Sequence, residues 1–223
     1  MPRKNLRDLN GKPLITYAIE PGLEAEKVDR VIVSTDDDEI AAVAEKWGAE
    51  VPFARPAELA EDDTPDLPVY RHLIDWLREN ENYTFDYLLN LRCTTPFKTP
   101  EIIDAAIDVL DAGDCDSVRT AHLVAGEEHP YWMFKKAPDG LASSFVDGIK
   151  LEDYHQRQLL PPCYALNFLV DAMKVNVVMN APYPCGTKVK LLETDPARAV
   201  DIDTERDLIV CEALMRTGFL STI

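Results

Sequence analysis

The feature that most constrains the fold is a repeated alternation of short β-rich runs with apolar patterns of helical period. Val31-Ile32-Val33-Ser34 has the pattern of a buried strand and runs into Thr35-Asp36-Asp37-Asp38. Those acidic residues can cap a helix carrying Ile40, Ala41, Val43, Ala44 and Trp47, which Gly48 ends. The alternation recurs along the chain. Leu14 to Ile19 predicts a helix after Pro13, and Glu50-Val51-Pro52-Phe53 a short strand. After a polar loop over residues 55–65, Val69, Leu73, Trp76 and Leu77 mark one face of a helix. Tyr87 to Leu91 is the next central strand, and Thr99-Pro100-Glu101 opens a helix through Ile103, Ala106, Ile107 and Leu110. Strands follow at residues 117–121, 163–170 and 189–192, and a last helix runs from Thr204 to about Arg216. Strands alternating with helices predict an α/β fold, three-layered and Rossmann-like, with a mainly parallel sheet. The 223 residues fit a single domain, residues 1–223.

Between residues 129 and 162 the alternation stops. The segment is aromatic, has two glycine turns and shows no sustained helical period. A stretch of this length within a compact domain predicts a functional or interface excursion.

Charge narrows the function. The formal charge is -17, from 40 acidic and 23 basic residues, with no basic cluster to offset it. Such a surface repels nucleic acid, so nucleic acid is not an expected partner. No run approaches the ~18–20 apolar residues that cross a bilayer. The opening Met1-Pro2-Arg3-Lys4-Asn5 lacks the apolar core of a secretory signal. The expectation is a cytoplasmic protein with no membrane partner. Cys93, Cys115, Cys163, Cys185 and Cys211 are odd in number and widely spaced, which argues for reduced thiols rather than disulfides or zinc.

Several constellations carry chemistry. Asp201-Ile202-Asp203 at a strand end can project two carboxylates to one side. Mg²⁺ favours one or two carboxylates completed by water and substrate phosphates. The competing reading is local, since Thr204 and Asp207 have capping-box spacing and Asp203 can serve the helix start. Arg3 and Lys4 gather cations before a helix, where triphosphate oxygens can be clamped. Arg55 follows one strand, and Arg92, Thr94, Thr95 and Lys98 follow another. Ligands of open α/β sheets sit at the carboxyl ends of strands, which places these five along one crevice. Arg157, on the proline-bearing turn that closes the irregular segment, either binds a carboxylate or braces its loop.

Taken in order, these segments resemble the acylneuraminate cytidylyltransferase family, the CMP-sialic acid synthetases and their relatives. The matching phrases are Pro2-Arg3-Lys4-Asn5-Leu6, Leu9-Asn10-Gly11-Lys12-Pro13-Leu14 and Val31-Ile32-Val33-Ser34-Thr35-Asp36-Asp37. Arg55-Pro56-Ala57-Glu58-Leu59-Ala60, Thr94-Thr95-Pro96-Phe97-Lys98-Thr99 and Asp201-Ile202-Asp203-Thr204-Glu205 complete the set, which spans almost the whole chain. The resemblance implies a nucleotidyltransferase that joins CMP from CTP to the anomeric hydroxyl of an acidic sugar, releasing pyrophosphate, with Mg²⁺ as cofactor. By the same resemblance Lys4 and Asn5 contact the nucleotide and its phosphates, Arg55 lies on the nucleotide side, and Asp201 and Asp203 hold Mg²⁺. Arg157 reaches the sugar carboxylate across a homodimer formed by residues 129–162, and Asn167 lies near the sugar.

Three departures from the family pattern bear on this expectation. A first strand and Gly-rich loop normally precede the Arg3-Lys4-Asn5 phrase, so either this start is truncated or the chain binds CTP weakly. Arg92-Cys93 replaces a Gln-Pro, which leaves the sugar open between sialic acid and a related acid, and Asn167-Phe168 replaces an Asn-Gly, where a phenylalanine can narrow the pocket. The alternatives are another acidic sugar, such as a ketodeoxyoctulosonate or legionaminate, or a non-catalytic relative that retains the fold and dimer.

Overall fold

A computed structural model describes residues 3–219 of the chain; Pro2, part of the first matching phrase, lies outside the described residues. A single turn at Lys4–Leu6 leads into a short hairpin of β1 (Asp8–Leu9) and β2 (Lys12–Pro13), and then into α1 (Thr16–Glu24). Next comes α2 (Asp38–Lys46), capped as its sequence demands. The Asp37 carboxylate accepts the amides of Glu39 and Ile40 at 2.9 and 3.0 Å, and these bonds hold its pKa below the usual range. Gly48, at φ 92°, takes the left-handed conformation that closes this helix.

Beyond the loop come α3 (Asp66–Glu81), β3 (Tyr87–Asn90) and α4 (Pro100–Asp111). The buried residues of α4, Ile103, Ala106, Ile107 and Leu110, follow the spacing of one helical face. β4 (Ser117–Leu123) is followed by the hairpin β5 (Phe134–Lys136) and β6 (Ala142–Ser144). The chain closes with β7 (Tyr164–Lys174), α5 (Val175–Asn180), β8 (Val189–Glu193) and α6 (Glu205–Thr217).

The central sheet has the order β3-β7-β4-β8. Its α/β class matches the sequence expectation, but the sheet is mixed rather than mainly parallel. β7 pairs antiparallel with both β3 and β4, and only β4 and β8 pair in parallel. The excursion explains the reversal. It leaves the end of β4 and returns beside it, with Leu123 opposite Tyr164, so β7 must run back along β4.

Helices cover both faces of the sheet. Ala172 and Met173 are adjacent in β7 and point to opposite sides, as strand pleating requires. Ala172 joins Ile103, Leu110 and Val118 under α4, while Met173 joins Ile74, Leu88 and Val178 under α3 and α5. A separate cluster, Leu9, Leu14, Phe97, Ile202, Leu208 and Cys211, fastens the amino-terminal hairpin to α6.

The expected strand at residues 31–34 is reduced to two isolated parallel bridges, Ile32 with Glu50 and Thr35 with Ala54. Its other edge faces the open edge of β3 across a cleft of about 1290 Å³. Ile15, Ala18 and Ile19 of α1 and Val69, Tyr70 and Leu73 of α3 also line this cleft. Gly22 lets α1 sit close, since a Cβ there would lie 3.1 Å from Val31 and 3.2 Å from Leu91.

The excursion is tied at its base. His129 is 1% exposed; its Nε2 donates to the Pro161 carbonyl at 3.0 Å, and its Nδ1 accepts the Tyr131 amide. Further out, Met133, Phe134, Leu141, Phe145, Leu151 and Leu159 are exposed. All five cysteines are free, and no helix among the described residues is long and apolar enough to cross a membrane.

Candidate active site

The loop that follows β3, residues 92–95, connects four other parts of the molecule. The Cys93 thiol donates to Asn5 Oδ1 at 3.0 Å, and burial raises its pKa. The Thr94 carbonyl accepts the Ile202 amide at 2.8 Å, which brings the Asp201–Asp203 segment against the loop. Thr95 Oγ1 donates to the Phe168 carbonyl at 2.9 Å. Arg92 Nη2 donates to Asp66 Oδ2 at 2.8 Å. Lys98 supports the loop from below, donating to the carbonyls of Arg92, at 2.7 Å, and of Thr95. It is 4% exposed, and burial pushes its pKa down to about 7 against the opposing pull of Cys93 and Asp201.

Asp201 and Asp203 are both exposed, and Ile202 between them is fully buried. The alternation therefore places the two carboxylates on the solvent side of one anchored segment. The capping question is resolved by Thr204. Its hydroxyl accepts the Asp207 amide, and the Asp207 carboxylate accepts the Thr204 and Asp203 amides at 2.8 and 3.1 Å. The cap leaves the Asp203 side chain to another partner, Lys4 Nζ at 2.8 Å. Two solvent-facing carboxylates suit Mg²⁺, which takes its remaining ligands from water and phosphate. No group of three or more acidic, histidine or cysteine ligands occurs among the described residues, so an all-protein metal cage is not the arrangement here.

Arg55 lies on the same cleft as Asn5, Arg92 and Thr94. Its guanidinium donates to the Ser34 hydroxyl at 3.2 Å and to the Ser34 carbonyl, so it braces the end of the 31–35 segment. Burial lowers its pKa, and the nearby Asp36 charge opposes that shift. Asn5, Arg55, Arg92 and Thr94 thus line one cleft near Lys4, Asp201 and Asp203, whereas Thr95, expected in the same crevice, is fully buried beneath the loop.

Two expected residues are placed otherwise. Asn167 is 5% exposed and donates to Thr194 Oγ1 at 2.7 Å, a bond that links β7 to the end of β8. Arg157 is exposed on the excursion and packs over Gly126, where a Cβ would lie 2.9 Å from its Nη2. Sequence reasoning also missed Asp66 and Tyr70 at this site. Tyr70 is half-buried, and burial first and then the Asp66 charge raise its pKa strongly. Their only signal was position at the start of a helix that follows the Arg55 loop. Phe168 was noticed as a substitution, but its conformation, φ 57°, was not legible.

Residues 1–206 match the protein family described as Cytidylyltransferase. CMP-N,N'-diacetyllegionaminic acid synthase of Campylobacter jejuni subsp. jejuni serotype O:2 is 31% identical over 220 residues, covering 98% of this chain and 90% of that protein. Post-translational flagellin modification protein B of Campylobacter coli is 30% identical over 216 residues, covering 96% and 88%. Among solved structures, CMP:2-keto-3-deoxy-manno-octonic acid synthetase complexed with CTP superposes with a TM-score of 0.69 at 17% identity, over 98% of this chain and 93% of that one. That likeness concerns the fold.

Proposed function

The chain belongs to the cytidylyltransferase family, and from that premise we propose that it transfers CMP from CTP to the anomeric hydroxyl of an acidic sugar of the legionaminate or sialic acid type. The single observation that carries this reading is the convergence of Lys4, Asn5, Arg92, Thr94, Asp201 and Asp203 around one loop. The near full-length likeness to a legionaminic acid synthase favours a nine-carbon acid over a ketodeoxyoctulosonate.

In the reaction the anomeric oxygen forms a bond to the α-phosphorus, the bond from that phosphorus to its bridging oxygen breaks, and pyrophosphate leaves with the electron pair. The hydroxyl proton passes to solvent. Transfer at phosphorus depends mainly on alignment and charge neutralisation. Lys4 supplies a cation next to the carboxylate pair, and Asn5, held by Cys93, sits on the nucleotide side with Arg55. Arg92 and Thr94 face the sugar acid, while the buried Thr95 ties their loop to the Phe168 carbonyl of β7. Asp201 and Asp203 are the residues that would hold Mg²⁺, which neutralises phosphate charge and orients the triphosphate when bound.

The same reading makes the protein a homodimer joined through residues 129–162, whose apolar side chains stand in solvent around an anchored base. Arg157 then serves the partner's sugar site. A cytoplasmic location fits the five free cysteines. Pyrophosphate release from CTP and Mg²⁺, assayed with N,N'-diacetyllegionaminate, N-acetylneuraminate and ketodeoxyoctulosonate, tests the reading. Release with a nine-carbon acid supports it, and release with none of the three overturns it.

A further inference from the structure

Phe168 occupies a bulge in β7. Arg119 of β4 faces Asp171 and Ala121 faces Leu166, so residues 167–170 of β7 stand opposite Thr120 alone. The Thr120 hydroxyl closes the gap, accepting the Val170 amide at 3.0 Å and donating to the Val170 carbonyl at 3.2 Å. Within the bulge Phe168 takes φ 57°, a region that bulky side chains seldom enter. Bulges beside active sites commonly re-aim a side chain.

Here the ring is aimed between two arginines, Arg92 of the loop after β3 and Arg119 of β4. The Arg92 guanidinium carbon is 5.2 Å from the ring centroid, and that of Arg119 is 5.3 Å away. The two arginines differ in what they have left to give. Arg119 is saturated on its inner edge, with Nε and Nη2 on the two oxygens of Asp171 at 2.8 and 3.2 Å. Arg92 has a single carboxylate bond, to Asp66, and its shielded Nε has no partner. Its side chain is 38% exposed and lines the cleft beside β3.

We propose that Phe168 is a positioning residue for Arg92, fixing the guanidinium plane so that its solvent-exposed edge receives the carboxylate of the acidic sugar. The proposal rests on the acidic-sugar reading above. A guanidinium binds a carboxylate best through two parallel N–H groups, which requires its plane to be held in advance. The ring holds one face of that plane, and Asp66 holds one nitrogen. Glycine at 168 would adopt the backbone without strain but would leave the plane free to turn. A strained aromatic beside a cleft is the pattern expected of a site residue rather than a packing residue.

The test is calorimetric binding of N,N'-diacetyllegionaminate, N-acetylneuraminate and ketodeoxyoctulosonate, with CTP binding and thermal midpoint measured alongside. The variants are Phe168→Gly, Phe168→Tyr and Arg92→Lys. Phe168→Gly is expected to weaken binding of the acid about tenfold, the scale of one charge-assisted contact, with CTP affinity unchanged and the midpoint no lower. Phe168→Tyr should keep wild-type affinity. Arg92→Lys should weaken the acid similarly, and adding Phe168→Gly to it should cost little more. Wild-type affinity in Phe168→Gly, or parallel losses of acid binding, CTP binding and midpoint, would overturn the positioning role alone. Wild-type protein that binds CTP but none of the three acids would overturn the acidic-sugar reading, and this role with it.

Discussion

Lys4 Nζ lies 2.8 Å from Asp203 Oδ1, joining two residues 199 positions apart in the chain. The lysine side chain is 26% exposed and the aspartate 70%. An ion pair in such a setting contributes about 0–1 kcal/mol, so a nucleotide that takes up both groups displaces little. On the proposed function, the arrangement keeps the cation assigned to phosphate and the carboxylate assigned to the metal side by side, each neutralising the other until substrate arrives.

Replacing Asp201 and Asp203 together with alanine is therefore expected to lower Mg²⁺-dependent turnover at least about a hundredfold. Both carboxylates are exposed and the helix cap belongs to Thr204 and Asp207, so stability should change by no more than ~0.5 kcal/mol. Initial rates across a Mg²⁺ titration, with a urea denaturation curve, check both parts. Full activity in the double variant would remove the metal assignment.

The excursion gives a second prediction. Leu141 is 71% exposed and Phe145 53%, on either side of the β6 strand. Charges placed in an apolar interface are left desolvated and unpaired, a loss of several kcal/mol. Leu141→Glu with Phe145→Glu should convert a dimer to a monomer at micromolar concentration while leaving the far-ultraviolet circular dichroism unchanged. Light scattering decides the matter, and a monomeric wild type would sink the interface.

Lys98 predicts a pH dependence. Burial lowers its folded pKa from 10.5 to about 7. Between those values the unfolded chain keeps a proton that the folded chain has shed, so stability rises with pH across the window. Below about 7 the penalty for the buried charge is present in full. A neutral amine still has two N–H groups for the Arg92 and Thr95 carbonyls. The stability of wild type relative to Lys98→Met should increase from pH 7 to 9 by up to about 1.4 kcal/mol per unit. Taking the difference between proteins cancels the tyrosines and other cysteines. A difference that stays flat across this range would show that the ammonium keeps its proton.

The cleft beside β3 supports a fourth. Two strand edges face each other there, with apolar walls from α1 and α3. Unpaired amides and carbonyls along such edges cost about 1–3 kcal/mol each when shielded from water. Placing a five-residue apolar strand and a Gly-rich turn ahead of Arg3 is expected to raise the thermal midpoint by about 5 °C or more. CTP affinity should rise with it, because a glycine-rich turn offers amides to phosphate. Scanning calorimetry and CTP titration of the two proteins side by side check this, and equal values in both would refute it.

Much of this architecture was legible where signals are local. Asp37, Pro100 and Thr204 each announce a helix start through their own chemistry, and α2, α4 and α6 begin there. The strand at residues 31–34 was recognisable by composition, yet it needs a neighbour on each side to form a ladder and has only the Glu50–Ala54 bridges. The reversal of β7 depends on where the long connection between Leu123 and Tyr164 returns, which no local pattern encodes. At the site, Lys4, Asn5, Thr94, Asp201 and Asp203 came together as expected because each flanks a strand end or a cap. Asn167 did not, since its neighbour Thr194 belongs to another strand's end and only the sheet order brings them together.

The loop at residues 92–95 has a kinetic consequence. Its bonds reach Asn5, Asp66, Phe168 and Ile202, each on a different element, through single contacts. A segment held this way opens as one cooperative unit, because releasing it breaks every tie at once. Occupation of any one of these neighbours by a ligand slows the opening of all of them. In amide exchange, nucleotide alone should therefore protect the start of β7 as well as its own contacts, so the sugar-facing side becomes ordered before any sugar arrives.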